Sequence, residues 1–222
     1  MNKNSKVKEE EYTQGWAGYW NPKKRSFGKA IIDFMRDYYF KWIIISIVGD
    51  VKNKTVLEAG CGTSESLVLL SKHAKKVYGV DLSKDAIKIS ETHFKEKRIR
   101  PEKYELKLGD INNIPYPDNM FDIVFNAGVI EHFTDLKPIK EMIRITKPEG
   151  RVVILVPASG LYQFIFKLLE KLASKDEFCW EEHKFYNKKM MEQELRDSGA
   201  QKIEVFNSFL SLGVYVVGRV RK

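Results

Sequence analysis

Two carboxylates, a run of small residues and a histidine are where this sequence can do chemistry. In VLEAGCGTSES (56–66) a β-branched, apolar run ends on Glu58 and turns at once through Gly60, Cys61, Gly62, Thr63 and Ser64. A helix-like run, LVLLSKHA, follows. Small residues between a strand and a helix let a ligand approach the backbone, and the helix start offers free N–H groups. The bland alternative is a plain tight turn. About 20 residues after the glycines Asp81 ends the next strand-like run, where a carboxylate can accept from both hydroxyls of a ribose. The local alternative there is an acid at a helix start beside Ser83.

Two nucleoside cofactors fit this much, and charge separates them. A dinucleotide fingerprint wants G-x-G-x-x-G, but its last position here is Glu65. A carboxylate there opposes a pyrophosphate, and Glu58 just ahead of the turn adds a second negative charge. The ligand is therefore expected to be cationic or to carry an ammonium group.

Elements that would hold these residues alternate along the chain. Strand-like runs fall at 55–60, 76–81, 104–110, 121–128 and 151–157, with helix-like runs at 64–73, 83–97 and 135–147. Such alternation implies right-handed crossovers and a parallel sheet covered on both faces. After a helix over 187–198, the runs 201–208 and 214–220 are separated by too few residues for a crossover, so they should pair antiparallel. The expected fold is α/β: a doubly wound, seven-stranded, mostly parallel Rossmann-like sheet with a C-terminal antiparallel hairpin.

VLEAGCGTSES, VYGVDLSKDAI, LKLGDINNIPYPDNMFDIVFNAGVIEHF and KPEGRVVILVP together resemble successive motifs of the class I S-adenosylmethionine-dependent methyltransferases, of the small-molecule type with an E-x-G-C-G loop. The resemblance covers about 55–158. It implies S-adenosylmethionine as cofactor, with Gly60, Cys61 and Gly62 in the loop under the methionine part and Glu58 helping to hold its amino group. It further implies Asp81 at the ribose and Leu82 beside the adenine. Asp110 would accept from the adenine amino group, with Ile111 next to it, and Asn126 and Ala127 would lie where the fourth strand passes the methyl. Where the family usually has a third glycine this chain has Ser64, which is expected to serve as a helix cap.

A sulfonium is already an activated methyl donor, so the protein's main task is alignment with the acceptor atom. A base is needed only where that atom holds a proton, and His132 in VIEHF is the candidate catalytic residue. Glu131 beside it would orient the imidazole or be solvated. Cys179 and His183 are four apart, but two ligands make no zinc site, so no metal is expected.

Two segments carry no motif: 1–54, an expected helical lid or cap, and an expected acceptor-site insertion at 159–186 within a cofactor-binding domain at 55–222. In 160–175 the polar Gln163, Lys167, Glu170, Lys171 and Ser174 share one narrow helical face and the rest is apolar. Such a helix is buried, covers a greasy pocket, or makes peripheral membrane contact. Tyr12, Trp16, Tyr19 and Trp20 are placed to close over the cofactor.

The net charge of +8 sits at the chain ends, leaving the body neutral. That argues against nucleic acid as a partner. Two cysteines and a polar N-terminus point to the cytoplasm, and the apolar run 38–48 is too short to span a bilayer. Transfer to a small-molecule acceptor, lipophilic in character, is the leading reading. Its rivals are a methyltransferase acting on protein or RNA and a nucleotide-binding module without methyl transfer. Oligomeric state has no signature here. If the N-terminal aromatics form a lid, deleting residues 1–20 weakens S-adenosylhomocysteine binding in calorimetric titration, and unchanged affinity removes the lid.

Overall fold

The strands Thr55–Ala59, Lys76–Asp81, Phe121–Ala127 and Thr146–Pro157 of a computed structural model of the chain send side chains into two separate cores, one on each face of the sheet. The structure describes residues 44–160, 163–164, 167, 184–207 and 215–221. The N-terminal aromatics, Cys179, His183 and most of the 159–186 segment lie outside the described residues.

Seven strands form one sheet: β1 (Thr55–Ala59), β2 (Lys76–Asp81), β3 (Tyr104–Leu108), β4 (Phe121–Ala127), β5 (Thr146–Pro157), β6 (Lys202–Asn207) and β7 (Tyr215–Arg221). Their order is β3-β2-β1-β4-β5-β7-β6. β1 to β5 run parallel, and β7 lies antiparallel to both β5 and β6, as the short 209–213 connection required. The helices are α1 (Glu65–Leu70), α2 (Lys84–Glu96), α3 (Lys137–Ile145) and α4 (Lys188–Asp197). Ser83 caps α2 by accepting from Ala86 N, and Asn187 caps α4 by accepting from Met190 N.

Val56, Val77, Ile123, Phe125 and Val153 face α1, α2 and the helical residues 44–48. Leu57, Tyr78, Val80, Val124, Val152 and Ile154 face α3 and α4. Burial on both faces explains the nearly unbroken apolar strands. Burying side chains such as Leu57 and Phe125 completely stabilises by about 1.5–3 kcal/mol each. One boundary differs from expectation. The helical pattern ran to 147, but α3 stops at Ile145 and β5 starts at once at Thr146. Gly150 allows this tight join, because a Cβ there would stand 2.6 Å from Thr146 Cγ2.

The chain builds β1, β2 and β3 outward on one side and then returns to lay β4 on the other side of β1. The carboxyl ends of β1 and β4 thus flank the point where strand order reverses, the crevice in which such sheets bind ligands. Phe121 at the start of β4 is fully buried and meets Tyr78 and Tyr116 edge-on, with ring centroids 5.0 and 5.1 Å away. Phe121→Ala is expected to cost about 3–5 kcal/mol, read from chemical denaturation midpoints.

Candidate active site

The turn after β1 is held by backbone bonds to β2. Gly60 N and Cys61 N both donate to Val80 O, at 2.8 and 3.0 Å. Gly62 N donates to Asp81 Oδ2 at 2.8 Å, and Ser83 N to Asp81 Oδ1 at 2.9 Å. From below, α2 supplies Ser90 Oγ to Gly62 O at 2.7 Å and sets His93 Nδ1 3.1 Å from Thr63 O. Asp81 therefore fills the local role that its position suggested. It anchors the loop and the start of α2 locally, and its half-buried carboxyl stays at the crevice edge.

Ser64 differs from its expected role, and Gly60 and Cys61 have a structural reason to be small. At Gly60 (φ 75°) a Cβ would stand 2.7 Å from Val129 Cγ2. The Cys61 side chain packs into the core with Leu67 and Val77, leaving only its backbone for a ligand. Ser64 makes no side-chain cap; it adopts the left-handed conformation, φ 58°, ψ 28°. That backbone is what a glycine at this place would accommodate without cost.

Glu58 is 4% exposed, and Ser66 Oγ lies 2.9 and 2.8 Å from its two oxygens. Burial pushes its pKa up to about 8, which the Ser66 hydroxyl only partly offsets and the nearby Asp81 reinforces. Asp81 is also raised, again by burial, against the lowering effect of backbone N–H groups from Ser83, Gly62 and Leu82. Two acidic groups thus sit together where negative charge is costly.

Asp110 follows β3 and accepts at Oδ1 from Asn112 N and Nδ2, at 2.8 and 3.0 Å. Its loop is clamped from α3, where Glu141 accepts from Ile114 N and Arg144 donates to the carbonyls of Tyr116 and Ile114. Ile111 is buried in the core and Leu82 is half-buried beside Asp81. Asn126 is a strut. It is buried, its Nδ2 donates to Ala59 O across to β1, and its Oδ1 accepts from Ile130 N. Ala127 is partly buried against the core on the α1 and α2 side.

His132 closes a short 3₁₀ turn, Ile130–His132, and burial lowers its pKa to about 4. The imidazole is neutral at ordinary pH but a weak base. Glu131 is not solvated: it is 4% exposed, and burial raises its pKa to about 8. No cluster of three His, Cys, Asp or Glu able to hold a metal occurs among the described residues.

A methyltransferase domain family matches residues 57–154. The demethylmenaquinone methyltransferase of Geobacillus sp. (strain WCH70) is 28% identical over 212 residues, covering 86% of this chain and 90% of its own. Together these matches support a class I S-adenosylmethionine-dependent methyltransferase. S-adenosylmethionine is the cofactor of this family. Solved structures share the fold. One is a SAM dependent methyltransferase from Aquifex aeolicus, with TM-score 0.63, 20% identity, and coverage of 88% of this chain and 97% of that one. Another is the magnesium protoporphyrin IX methyltransferase of Synechocystis PCC 6803 with bound SAH, with TM-score 0.68, 14% identity, and coverage of 98% and 100%.

The residues of this methyltransferase fit that cofactor. The buried acids Glu58 and Asp81 suit its ammonium and ribose hydroxyls, and the loop lies at the crevice where strand order reverses. Sequence reasoning passed over Ser66, Ser90 and Val129. Their partners lie eight, 28 and about 70 residues away, and no local pattern signals them.

Ser64→Gly is expected to raise stability by about 1 kcal/mol, since a serine in left-handed backbone is strained and glycine is not. Denaturation midpoints check this. For Glu58 the folded pKa exceeds the unfolded one, so the native state holds the extra proton between about 4.5 and 8. Its contribution is full at low pH and is lost as pH rises through that window. Glu58→Gln should therefore flatten the fall in stability of the ligand-free protein between pH 5 and 8, by on the order of 3 kcal/mol at pH 7.

Proposed function

We propose that this methyltransferase transfers the methyl group to a small, lipophilic hydroxy-aromatic acceptor of the demethylmenaquinone class, a hydroxylated ring with an apolar tail. One observation carries the reading. The match to the Geobacillus demethylmenaquinone methyltransferase runs over 86% of this chain, well past the 57–154 cofactor domain and into the segments that would form the acceptor side. The apolar character of 160–175 supports it, as does Phe164, which is 68% exposed in that segment.

In this reading Glu58 receives the methionine ammonium and Asp81 the ribose hydroxyls. Asp110 stands at the adenine amino group beside Leu82 and Ile111. The backbones of Gly60, Cys61 and Gly62 line the methionine part. Ala127 and the backbone of Asn126 border the methyl. When bound, the cofactor supplies a methyl activated as a sulfonium. The protein contributes alignment, worth roughly 7–11 kcal/mol of barrier in well-oriented reactions. Residues 1–54 act as a lid and 159–186 shape the acceptor pocket. No helix among the described residues is long and apolar enough to cross a membrane. A tailed acceptor would then be met by peripheral contact through the 160–175 segment.

Calorimetric titration with S-adenosylhomocysteine tests the cofactor site. The wild type should bind, and Asp81→Asn should bind about tenfold more weakly, a loss of about 1.4 kcal/mol. Incubation with S-adenosylmethionine and a short-chain demethylmenaquinol, read by mass spectrometry, tests the acceptor. A product heavier by one methylene supports the reading, and turnover on RNA or protein with none on the quinol overturns it.

A further inference from the structure

Glu131 has no part in the roles assigned so far, yet its place is unusual. It follows the fourth strand at the point of reversal, two residues after Val129. Val129 in turn lies so close over the cofactor loop that Gly60 has no room for a Cβ. The same loop is tied back to β4 by Ile130 N donating to Asn126 Oδ1. On its other side, Lys184 N donates to Glu131 O at 3.2 Å, so the end of the 159–186 segment is sewn to this residue. Glu131 thus stands between the turn after β1 and the chain at Lys184–Tyr186.

Its carboxyl is buried, and Glu131 Oε2 has no hydrogen-bond partner among the described residues. The groups facing it are accounted for. Tyr186, close enough to feel the Glu131 charge, donates its hydroxyl to Glu194 Oε2 at 3.0 Å. Lys184 Nζ pairs with Glu194 Oε1 at 3.3 Å. His132, its chain neighbour, is held neutral by burial. A buried polar atom without a partner carries a desolvation cost, and such exceptions concentrate where a ligand completes the bonding.

We propose that the Glu131 carboxyl faces the sulfonium methyl and takes the proton from the acceptor hydroxyl, making Glu131 rather than His132 the catalytic residue. This rests on the hydroxy-aromatic acceptor reading above. As the acceptor O–H bond breaks, its proton passes to Glu131 Oε2. The electron pair freed on the acceptor forms the new bond to the methyl carbon, either at oxygen or, through the ring, at carbon. The methyl–sulfur pair stays on sulfur. A carbon acceptor then passes its ring proton to its own oxygen, which restores the aromatic ring and its hydroxyl, and the Glu131 proton returns to solvent. Burial places Glu131 near pH 8, close to the working range that a general base requires, whereas His132 at about 4 is too weak. The positive sulfonium lowers the Glu131 value and frees the carboxylate when it is needed.

The sulfonium charge gives a test that needs no acceptor. S-adenosylmethionine carries it and S-adenosylhomocysteine does not, while both carry the ammonium that meets Glu58. Both ligands are titrated calorimetrically near pH 7.5 in phosphate and in Tris, whose ionisation enthalpies differ, so that the protons released can be counted. The wild type should release roughly half a proton more with S-adenosylmethionine than with S-adenosylhomocysteine. Glu131→Gln should abolish that difference with S-adenosylhomocysteine affinity within about threefold of wild type. Glu58→Gln should keep it.

Where the glutamine variant does not fold, Glu131→Met, of similar shape and apolar, takes its place with the same loss expected. The difference persisting without the carboxyl, or absent from the wild type, overturns the proposal. Failure of both ligands to bind overturns it together with the cofactor site. With the demethylmenaquinol, Glu131→Gln should lower kcat by about 10²–10⁴-fold, and His132→Ala should lower it far less. A wild type that shows the proton difference but leaves the quinol unmethylated rejects that acceptor class and not the placement of Glu131.

Discussion

Acidic side chains buried near the carboxyl ends of the strands are the constraint on which this region depends. Glu58, Asp81 and Glu131 come from three separate parts of the sheet, and burial raises the pKa of all three. A folded protein keeps such buried acids only by protonating them or by supplying hydrogen bonds. Ser66 serves Glu58, while the backbone N–H groups of Gly62 and Ser83 serve Asp81.

The scaffold exists to hold these acids at the point of strand reversal. Two apolar cores, one on each face of the sheet, fix β1 and β4 side by side. Asn126 then bridges the gap at their carboxyl ends, where no crossover helix supplies partners for the backbone. Val129 presses on Gly60, so the loop that would touch the cofactor and the loop that carries Glu131 are in direct contact. Ser64 holds left-handed backbone at the start of α1, a local strain that the surrounding bonds from β2 and α2 over-determine.

His132 and Glu131 show how burial shifts neighbouring residues of a motif in opposite directions. Read as types, histidine has the suitable pKa near neutrality and glutamate does not. Burial reverses the order, because it opposes a positive imidazolium and a negative carboxylate alike. It pushes histidine down and glutamate up. Solvent access at that turn follows from how 184–186 returns against β5, with Tyr186 N donating to Pro157 O. No local pattern in the sequence records this.

By itself, the sequence determined the order and type of the elements, the antiparallel close of the sheet, the glycine turn and the acids that end β1, β2 and β3. These depend on periodicity, on turn chemistry and on short spacings, all of which are local. Tertiary structure alone decided which small residues face a ligand and which face protein, since Gly60 meets Val129 and Cys61 enters the core. It alone decided that Asn126 is a strut and that Glu131 is buried beside the crevice. The physical reason is the same in each case. Side-chain direction and desolvation depend on which distant elements pack together, and a linear pattern carries neither.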